Sequence, residues 1–155
     1  MSLRPLLLLL VAAAVLVSGC GGGGVPSVEE FSEAVVLNRD RADFALTRIT
    51  QADSQDELLN RMDEASAVID KAAGALADEG APSDYQPEAD DLVKSLRQLA
   101  VDIQATADQS RIPGFENLLT GVGFQGLRFD SWDSVNKALA GLAGKGIPVS
   151  ILQPR

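Results

Sequence analysis

The chain has 155 residues, a formal net charge of −9, one cysteine and no histidine. This composition excludes an internal disulfide, histidine-dependent catalytic triads, cysteine–histidine dyads and the common zinc sites, and the negative charge disfavours nucleic acid as a partner. With 46% apolar but only 5% aromatic residues, the composition favours closely packed helices with an aliphatic core over an aromatic-rich sheet.

The first residues have the order of a secretory signal peptide. Arg4 gives the short N-terminal region its positive charge, and residues 6–17 form an uninterrupted apolar run. As a helix, this run spans only about 18 Å, whereas the hydrocarbon core of a bilayer is about 30 Å thick. The run therefore fits a signal peptide better than a permanent membrane span.

The apolar run ends in an aliphatic residue, small residues and a cysteine, Leu16-Val17-Ser18-Gly19-Cys20. This segment resembles the lipobox of bacterial lipoproteins, which identifies residues 1–19 as a lipoprotein signal peptide. The resemblance implies that the Cys20 thiol accepts a diacylglyceryl group through a thioether and that a peptidase cuts before Cys20. It also implies a bilayer as the partner of Cys20, at the extracytoplasmic face of the cell membrane. Ordinary signal cleavage with a free thiol and an uncleaved anchor helix are the competing interpretations.

Glycines at 21–24 and Pro26 follow the cysteine. Because a glycine run is a flexible linker, residues 20–26 are expected to be a lipidated cysteine and its tether. Two acyl chains anchor a protein durably, whereas one chain binds only marginally. Cys20 is then a structural anchor without a redox role.

A first helix is predicted from Ser27 to about Thr50. Ser27 and Glu30 have the Ser-x-x-Glu spacing of a capping box, which satisfies backbone donors at a helix start. Asn38 lies in a gap of the apolar stripe, where it is either buried and fixes the register between helices or lies at a solvated edge. The stripe consists of Val28, Phe31, Val35, Ala42, Ala45 and Ile49.

Two further helices follow. Ser54 and Glu57 repeat the capping-box spacing, and Gly80 and Pro82 end the second helix, because glycine accepts a left-handed closing conformation and proline interrupts the backbone hydrogen bonds. Pro87 suits the first turn of the third helix. The two stripes are Leu58, Met62, Ala65, Ile69, Ala72 and Leu76, and Leu92, Leu96, Leu99, Ile103 and Thr106.

The fold class predicted from these elements is all-α. Short connections between the helices predict an up-down-up, antiparallel three-helix bundle over residues 27–110. Residues 111–155 continue with a glycine-rich loop, a short fourth helix over 131–143 that Asp130 caps, and an extended tail over 147–152. We expect this last region to pack on the bundle, with an exposed partner-binding surface as the alternative.

Carboxylates around the turn between the second and third helices are the only candidates for chemistry. Their spacing does not match an EF-hand loop, so the sequence predicts a solvated turn without a metal or a cofactor. Tyr85 in this turn is expected to lay its ring over the end of the bundle. The carboxylates belong to Asp78, Glu79, Asp84, Glu88, Asp90 and Asp91.

The sequence favours a non-catalytic binding or interaction module of the cell envelope over an enzyme. Its expected partner is an envelope protein or an apolar ligand, and not a nucleic acid. The alternative is a small cation-dependent enzyme or metal-binding accessory that uses the acidic turn. Val36, Leu37 and Phe44 lie beside the first stripe and either widen the core or form a dimer face. In composition, residues 27–110 are similar to small helical lipoproteins of high-GC Gram-positive bacteria, which implies an envelope location but no site residue.

Overall fold

The computed structural model describes residues 24–113 and 129–153, and within these ranges it contains four α-helices and no strand. The helices are α1 (Val28–Thr50), α2 (Gln55–Glu79), α3 (Gln86–Ser110) and α4 (Asp130–Gly144). The prediction of an all-α protein is confirmed for this part of the chain. The predicted glycine-rich loop falls on residues 114–128, outside the described residues.

The first two helices begin with serine caps. The Ser27 hydroxyl accepts from the Glu30 N–H at 3.2 Å and the Glu30 carboxylate accepts from the Ser27 N–H at 2.9 Å, which confirms the predicted capping box. At α2, Ser54 accepts from the Glu57 N–H at 3.2 Å, but the Glu57 carboxylate accepts from the Asp53 N–H at 2.9 Å. The second box therefore forms only on its serine side.

The prediction that Asp130 caps the fourth helix is wrong. The residue before α4 is Phe129, which has an extended backbone and makes no capping hydrogen bond with its side chain. Asp130 lies inside the first turn, where its carboxylate interacts favourably with the positive end of the helix dipole. Helix α4 begins one residue before the predicted range of 131–143 and ends one residue after it.

The buried stripes of the helices form one core, mostly aliphatic, from which two predicted stripe residues depart. Thr106 of the third stripe is only half-buried. Val28 was assigned to the first stripe but is 48% exposed, because it lies at the first residue of α1. Asn38 is buried, yet its amide donates to the Ala34 carbonyl at 2.9 Å and accepts from Arg41 at 3.2 Å. Both partners belong to α1, so these hydrogen bonds do not fix a register between helices.

Helix α2 packs between α1 and α3, and α4 packs against α3. The Arg61 guanidinium donates to the Arg48 carbonyl at 2.6 Å, and the Ser66 hydroxyl donates to the Ala100 carbonyl at 2.8 Å. No Cα atom of α1 lies within 8 Å of a Cα atom of α3 or α4. The backbone of α1 is therefore farther from these two helices than from α2, and its buried side chains share one core with theirs.

Residues 147–153 follow α4 and are called the C-terminal segment. They adopt neither helix nor strand. Ile147 and Leu152 are buried and belong to the same core as the helices. The Asn136 side chain of α4 hydrogen bonds to the backbone of Leu152, which fixes the segment to α4.

The C-terminal segment is also bound to α1. The Arg39 guanidinium donates from Nε to the Ser150 carbonyl at 3.0 Å and from a terminal nitrogen to the Ile151 carbonyl at 2.7 Å. Arg39 also pairs with Asp40 at 2.9 Å. Because these contacts join α1 to the segment and Asn136 joins the segment to α4, the segment links these two helices.

Candidate functional site

The predicted lipidation site, Cys20, and the lipobox around it lie outside the described residues. The described chain begins at Gly24, four residues after the cysteine. Pro26 lies beside the end of α2: its Cδ atom is 4.0 Å from the position that a Cβ atom would take at Gly80. Residue 24 therefore leads into the end of the fold where α1 begins and α2 ends, which we call the entry end.

An aromatic and charged cluster covers the entry end. The rings of Phe31 and Tyr85 lie 5.8 Å apart between centroids, and the Tyr85 hydroxyl donates to the Lys145 carbonyl at 3.3 Å. The Lys145 ammonium lies 6.0 Å from the centroid of the Tyr85 ring and donates to the Glu88 carboxylate at 2.5 Å and to the Asp84 carbonyl at 2.6 Å. Tyr85 thus lies over the end of the core and links α1 to the residues that follow α4.

Sequence patterns did not predict this cluster, because Lys145 is 57 residues from Glu88 along the chain. Of its members, the sequence predicts only that the ring of Tyr85 lies at the end of the bundle. The Lys145 ammonium, through its hydrogen bond, lowers the pKa of the Glu88 carboxyl from its ordinary value of 4.5. Glu88 is therefore held as a carboxylate that pairs with Lys145, which is an arrangement for fixing helix ends and not for proton transfer at neutral pH.

The acidic turn does not bring its carboxylates together. Five of its six acidic side chains are exposed, and Glu88 pairs with Lys145. Asp90 accepts a hydrogen bond from the Gln86 amide at 2.8 Å. In residues 24–113 and 129–153, no three acidic, cysteine or histidine side chains converge in a group that could hold a metal ion.

The apolar residues beside the first stripe are divided between the core side and the surface. Val36 is half-buried, whereas Leu37 is 51% and Phe44 is 67% exposed. Leu37 and Phe44 lie two turns apart on the same side of α1. Leu37 and Phe44 point away from the core, so the interpretation that they widen the core does not hold for these two residues.

Grooves run between neighbouring helices. A groove of about 500 Å³ between α2 and α3 is lined by apolar residues that include Val93 and Val101 and by the basic residues Lys94 and Arg97. A groove of about 510 Å³ between α3 and α4 has mostly polar walls that include the buried Ser131. The Ser131 hydroxyl has no hydrogen-bond partner in the described part of the chain.

None of the described helices combines the length and the apolar character that are needed to cross a membrane. Comparison with protein-family models, with curated proteins and with solved structures finds no match to this chain.

Proposed function

We propose that this protein is a lipoprotein of the extracytoplasmic face of the cell membrane, with a helical domain that acts as a non-catalytic binding module. The observation that carries the proposal is the segment 16–20, in which an apolar run ends in small residues and Cys20. A diacylglyceryl group on the Cys20 sulfur supplies two acyl chains, which hold a protein to a bilayer durably. The four glycines after Cys20 have the composition of a linker, which suits a tether.

The folded domain starts directly after this tether. Pro26 already lies beside Gly80, and the α1 capping box begins at Ser27. Residues 20–26 reach at most about 25 Å when fully extended. A lipid on Cys20 therefore holds the entry end of the fold within about one domain length of the bilayer.

We also propose that α1, α2 and α3 run up, down and up, and that α4 and the C-terminal segment complete the bundle. Contacts between successive helices support this course. The end of α1 meets the first half of α2 where Arg48 pairs with Glu64 at 2.8 Å, and Pro26 before the start of α1 lies beside Gly80 at the end of α2. The first half of α2 meets the end of α3 where Asp63 pairs with Arg111.

Several features favour binding over catalysis. The chain has no histidine, and the lipid consumes its one thiol. The carboxylates of the acidic turn are exposed or, at Glu88, paired with a lysine. A tethered module works by raising the local concentration of its partner, an envelope protein or an apolar ligand, near the membrane, and this mechanism needs no reacting group.

Replacement of the cysteine tests the proposal. Cys20→Ser removes the sulfur that accepts the lipid, whereas Gly22→Ala keeps it and changes only the tether, which makes it the matched control. In fractionated bacterial cells, we expect the unchanged chain and Gly22→Ala in the membrane pellet with an incorporated fatty acid label. Cys20→Ser is expected to lose the label. A Cys20→Ser chain that keeps the label, or an unchanged chain that never acquires it, contradicts the proposal.

A further inference from the structure

The C-terminal segment is bound through its backbone. Arg39 of α1 donates to the carbonyls of Ser150 and Ile151 at 3.0 and 2.7 Å. Asn136 of α4 donates to the carbonyl of Leu152 at 3.2 Å and accepts from its N–H at 2.8 Å. Two side chains thus bind three consecutive residues. All four hydrogen bonds go to backbone groups, which any residue other than proline offers.

The side chains of the segment contribute unequally to its contacts. Leu152 is fully buried, and Val149 packs against the core while partly exposed. Ile151 is 42% exposed, and Pro148 and Ser150 also lie at the surface. The groove between α1 and α4 therefore has one enclosed site for an aliphatic side chain, and its other positions accept many side chains. In peptide recognition, main-chain hydrogen bonds give affinity and such side-chain sites give specificity.

The binding groups of this groove are positioned by α1 and α4. Arg39 pairs with Asp40 at 2.9 Å and with Asp43 at 4.0 Å, both on α1, and only 13% of its side chain is exposed. These carboxylates hold the guanidinium from the side of α1, while its Nε atom and a terminal nitrogen bind the segment. The orientation of Arg39 therefore does not require the segment.

Part of the segment can leave without disturbing the helices. The Ile147 N–H donates to the Leu142 carbonyl at 3.1 Å, which ties Ile147 to the end of α4. Residues 148–153 follow and belong to no helix or strand. Their release breaks none of the hydrogen bonds within the four helices. An extended peptide that takes their place restores the contacts with Arg39 and Asn136.

We propose that the groove between α1 and α4 binds an extended peptide segment of a partner protein, which replaces residues 148–153. The partner segment presents its backbone to Arg39 and Asn136 and places an aliphatic side chain at the site of Leu152. The chain's own segment is the competitor, because only chains with an open groove bind a partner. This inference rests on the proposed binding role of the domain, but it does not require a lipid on Cys20.

The contacts of the groove select a partner peptide as the occupant. A small apolar ligand would fill the site of Leu152 but leave Arg39 and Asn136 without their hydrogen-bond partners, which is costly for shielded polar groups. A second copy of this chain would insert identical residues and make only the contacts that each segment already makes in its own chain. Such an exchange gains no contact and still costs the entropy of association. A partner of different sequence gains contacts at the exposed positions.

Binding of a synthetic peptide to the purified full-length chain tests the proposal. The probe is a fluorescein-labelled peptide with the sequence of residues 148–153 and blocked ends. Leu152→Ala weakens the anchor of the chain's own segment, whereas Ile151→Ala changes the exposed neighbour and is the matched control. In fluorescence anisotropy, we expect Leu152→Ala to bind the probe about tenfold or more tightly than Ile151→Ala, because its groove is open more often. Equal affinities, or no binding to either variant, overturn the proposal.

The helices of both variants are verified by circular dichroism. If Leu152→Ala does not fold, Leu152→Val opens the groove by a smaller change, and we expect it to bind the probe more tightly than Ile151→Ala. The probe should also raise the Tm of the folded variant at position 152, because a ligand that binds only the folded state stabilises it. A Tm that does not change with the probe contradicts the proposal.

Changes in the probe test backbone recognition without any change in the fold. N-methylation of the probe amide that corresponds to Leu152 removes the donor to Asn136, so we expect binding to fall by about tenfold or more. Threonine in place of the probe residues that correspond to Ser150 and Ile151 keeps the leucine and the backbone, and should leave the affinity within about twofold. A probe that tolerates N-methylation, or one that fails with threonine, contradicts recognition through the backbone.

Two outcomes separate this inference from other accounts. A chain that acquires the fatty acid label but binds no probe as Leu152→Ala overturns the peptide groove and leaves the lipoprotein assignment in place. Sedimentation equilibrium in a non-ionic detergent detects exchange between copies. We expect an unchanged chain that is monomeric with and without the probe. A dimer that the probe dissociates would assign the groove to the segment of a second copy and overturn the proposal.

Discussion

The side-chain amide of Asn136 pairs with both backbone polar groups of Leu152: its Nδ2 atom donates to the Leu152 carbonyl at 3.2 Å and its oxygen accepts from the Leu152 N–H at 2.8 Å. Leu152 is fully buried, so its N–H and carbonyl need partners inside the protein. One amide side chain supplies both and thereby sets the position at which the C-terminal segment docks on α4.

Replacement of Asn136 by alanine should leave these two backbone groups unpaired. We expect Asn136→Ala to lower the free energy of unfolding by about 1–3 kcal/mol, the penalty for a buried polar group without a partner. Urea unfolding followed by circular dichroism measures the change. Ser134→Ala, at an exposed position on the same helix, is the control. Equal effects of the two substitutions would show that the Asn136 pairing does not stabilise the fold.

The core role of the C-terminal segment has a separate test. Leu152 is fully buried and its neighbour Ile151 is 42% exposed, so the two positions differ mainly in burial. We expect Leu152→Ala to cost about 2–5 kcal/mol through lost burial and the remaining cavity. Ile151→Ala should cost no more than about 0.5 kcal/mol, as at an ordinary surface site. If thermal unfolding gives the same Tm for both variants, the segment is not part of the core.

The ion pair between Glu88 and Lys145 predicts a pH dependence. The Lys145 hydrogen bond lowers the pKa of Glu88 in the folded protein below 4.5, so the unfolded chain binds the proton more readily. The pair therefore contributes stability above about pH 4.5 and loses this contribution as the pH falls through the lower pKa of the folded state.

We expect Glu88→Gln to be less stable than the unchanged chain at neutral pH and to match it in strong acid. Urea midpoints between about pH 7 and pH 3 measure the difference. Lys145→Gln should show the same trend, and the double variant should lose little more than either single variant. A difference that persists unchanged at the lowest pH would contradict this role of the pair.

Two glycines inside helices differ in the space beside them. A Cβ atom at Gly74 would meet nothing within 4 Å, whereas one at Gly141 would lie 3.1 Å from the Cγ atom of Glu88. Gly74→Ala should therefore stabilise the protein by about 0.5–1 kcal/mol through helix propensity alone. Gly141→Ala should gain less, because Glu88 must move while it holds Lys145. Equal increases in the free energy of unfolding for the two variants, measured with urea, would show that the contact with Glu88 costs no stability.

The elements that local patterns define were predictable from the sequence. The capping box at Ser27, the end of α2 at Gly80 and the proline in the first turn of α3 all occur as predicted. Each signal lies within a few residues of the helix end that it marks. The prediction that Asp130 caps α4 was wrong because aspartate is favoured both at the cap and in the first turn of a helix. In the first turn its negative charge also interacts with the positive end of the helix dipole.

Contacts between distant residues were not predictable. Arg39 donates to the carbonyls of Ser150 and Ile151, which are more than a hundred residues away in the sequence. No local sequence pattern predicts these hydrogen bonds. Lys145 and Glu88 are also far apart in the sequence, so their contact forms only when the chain folds. The candidate surfaces were predictable in part: Leu37 and Phe44 stand out as apolar residues beside a stripe, but only their exposure distinguishes a surface from an extension of the core.

We propose that the sulfur of Cys20 carries the lipid that holds this helical domain to a membrane. Intact-mass spectrometry of the full-length product, extracted from bacterial membranes with detergent, tests this proposal directly. We expect a chain that begins at Cys20 and is heavier than its polypeptide by a diacylglyceryl group. A chain that still begins at Met1, or one with an unmodified Cys20 thiol, would contradict it.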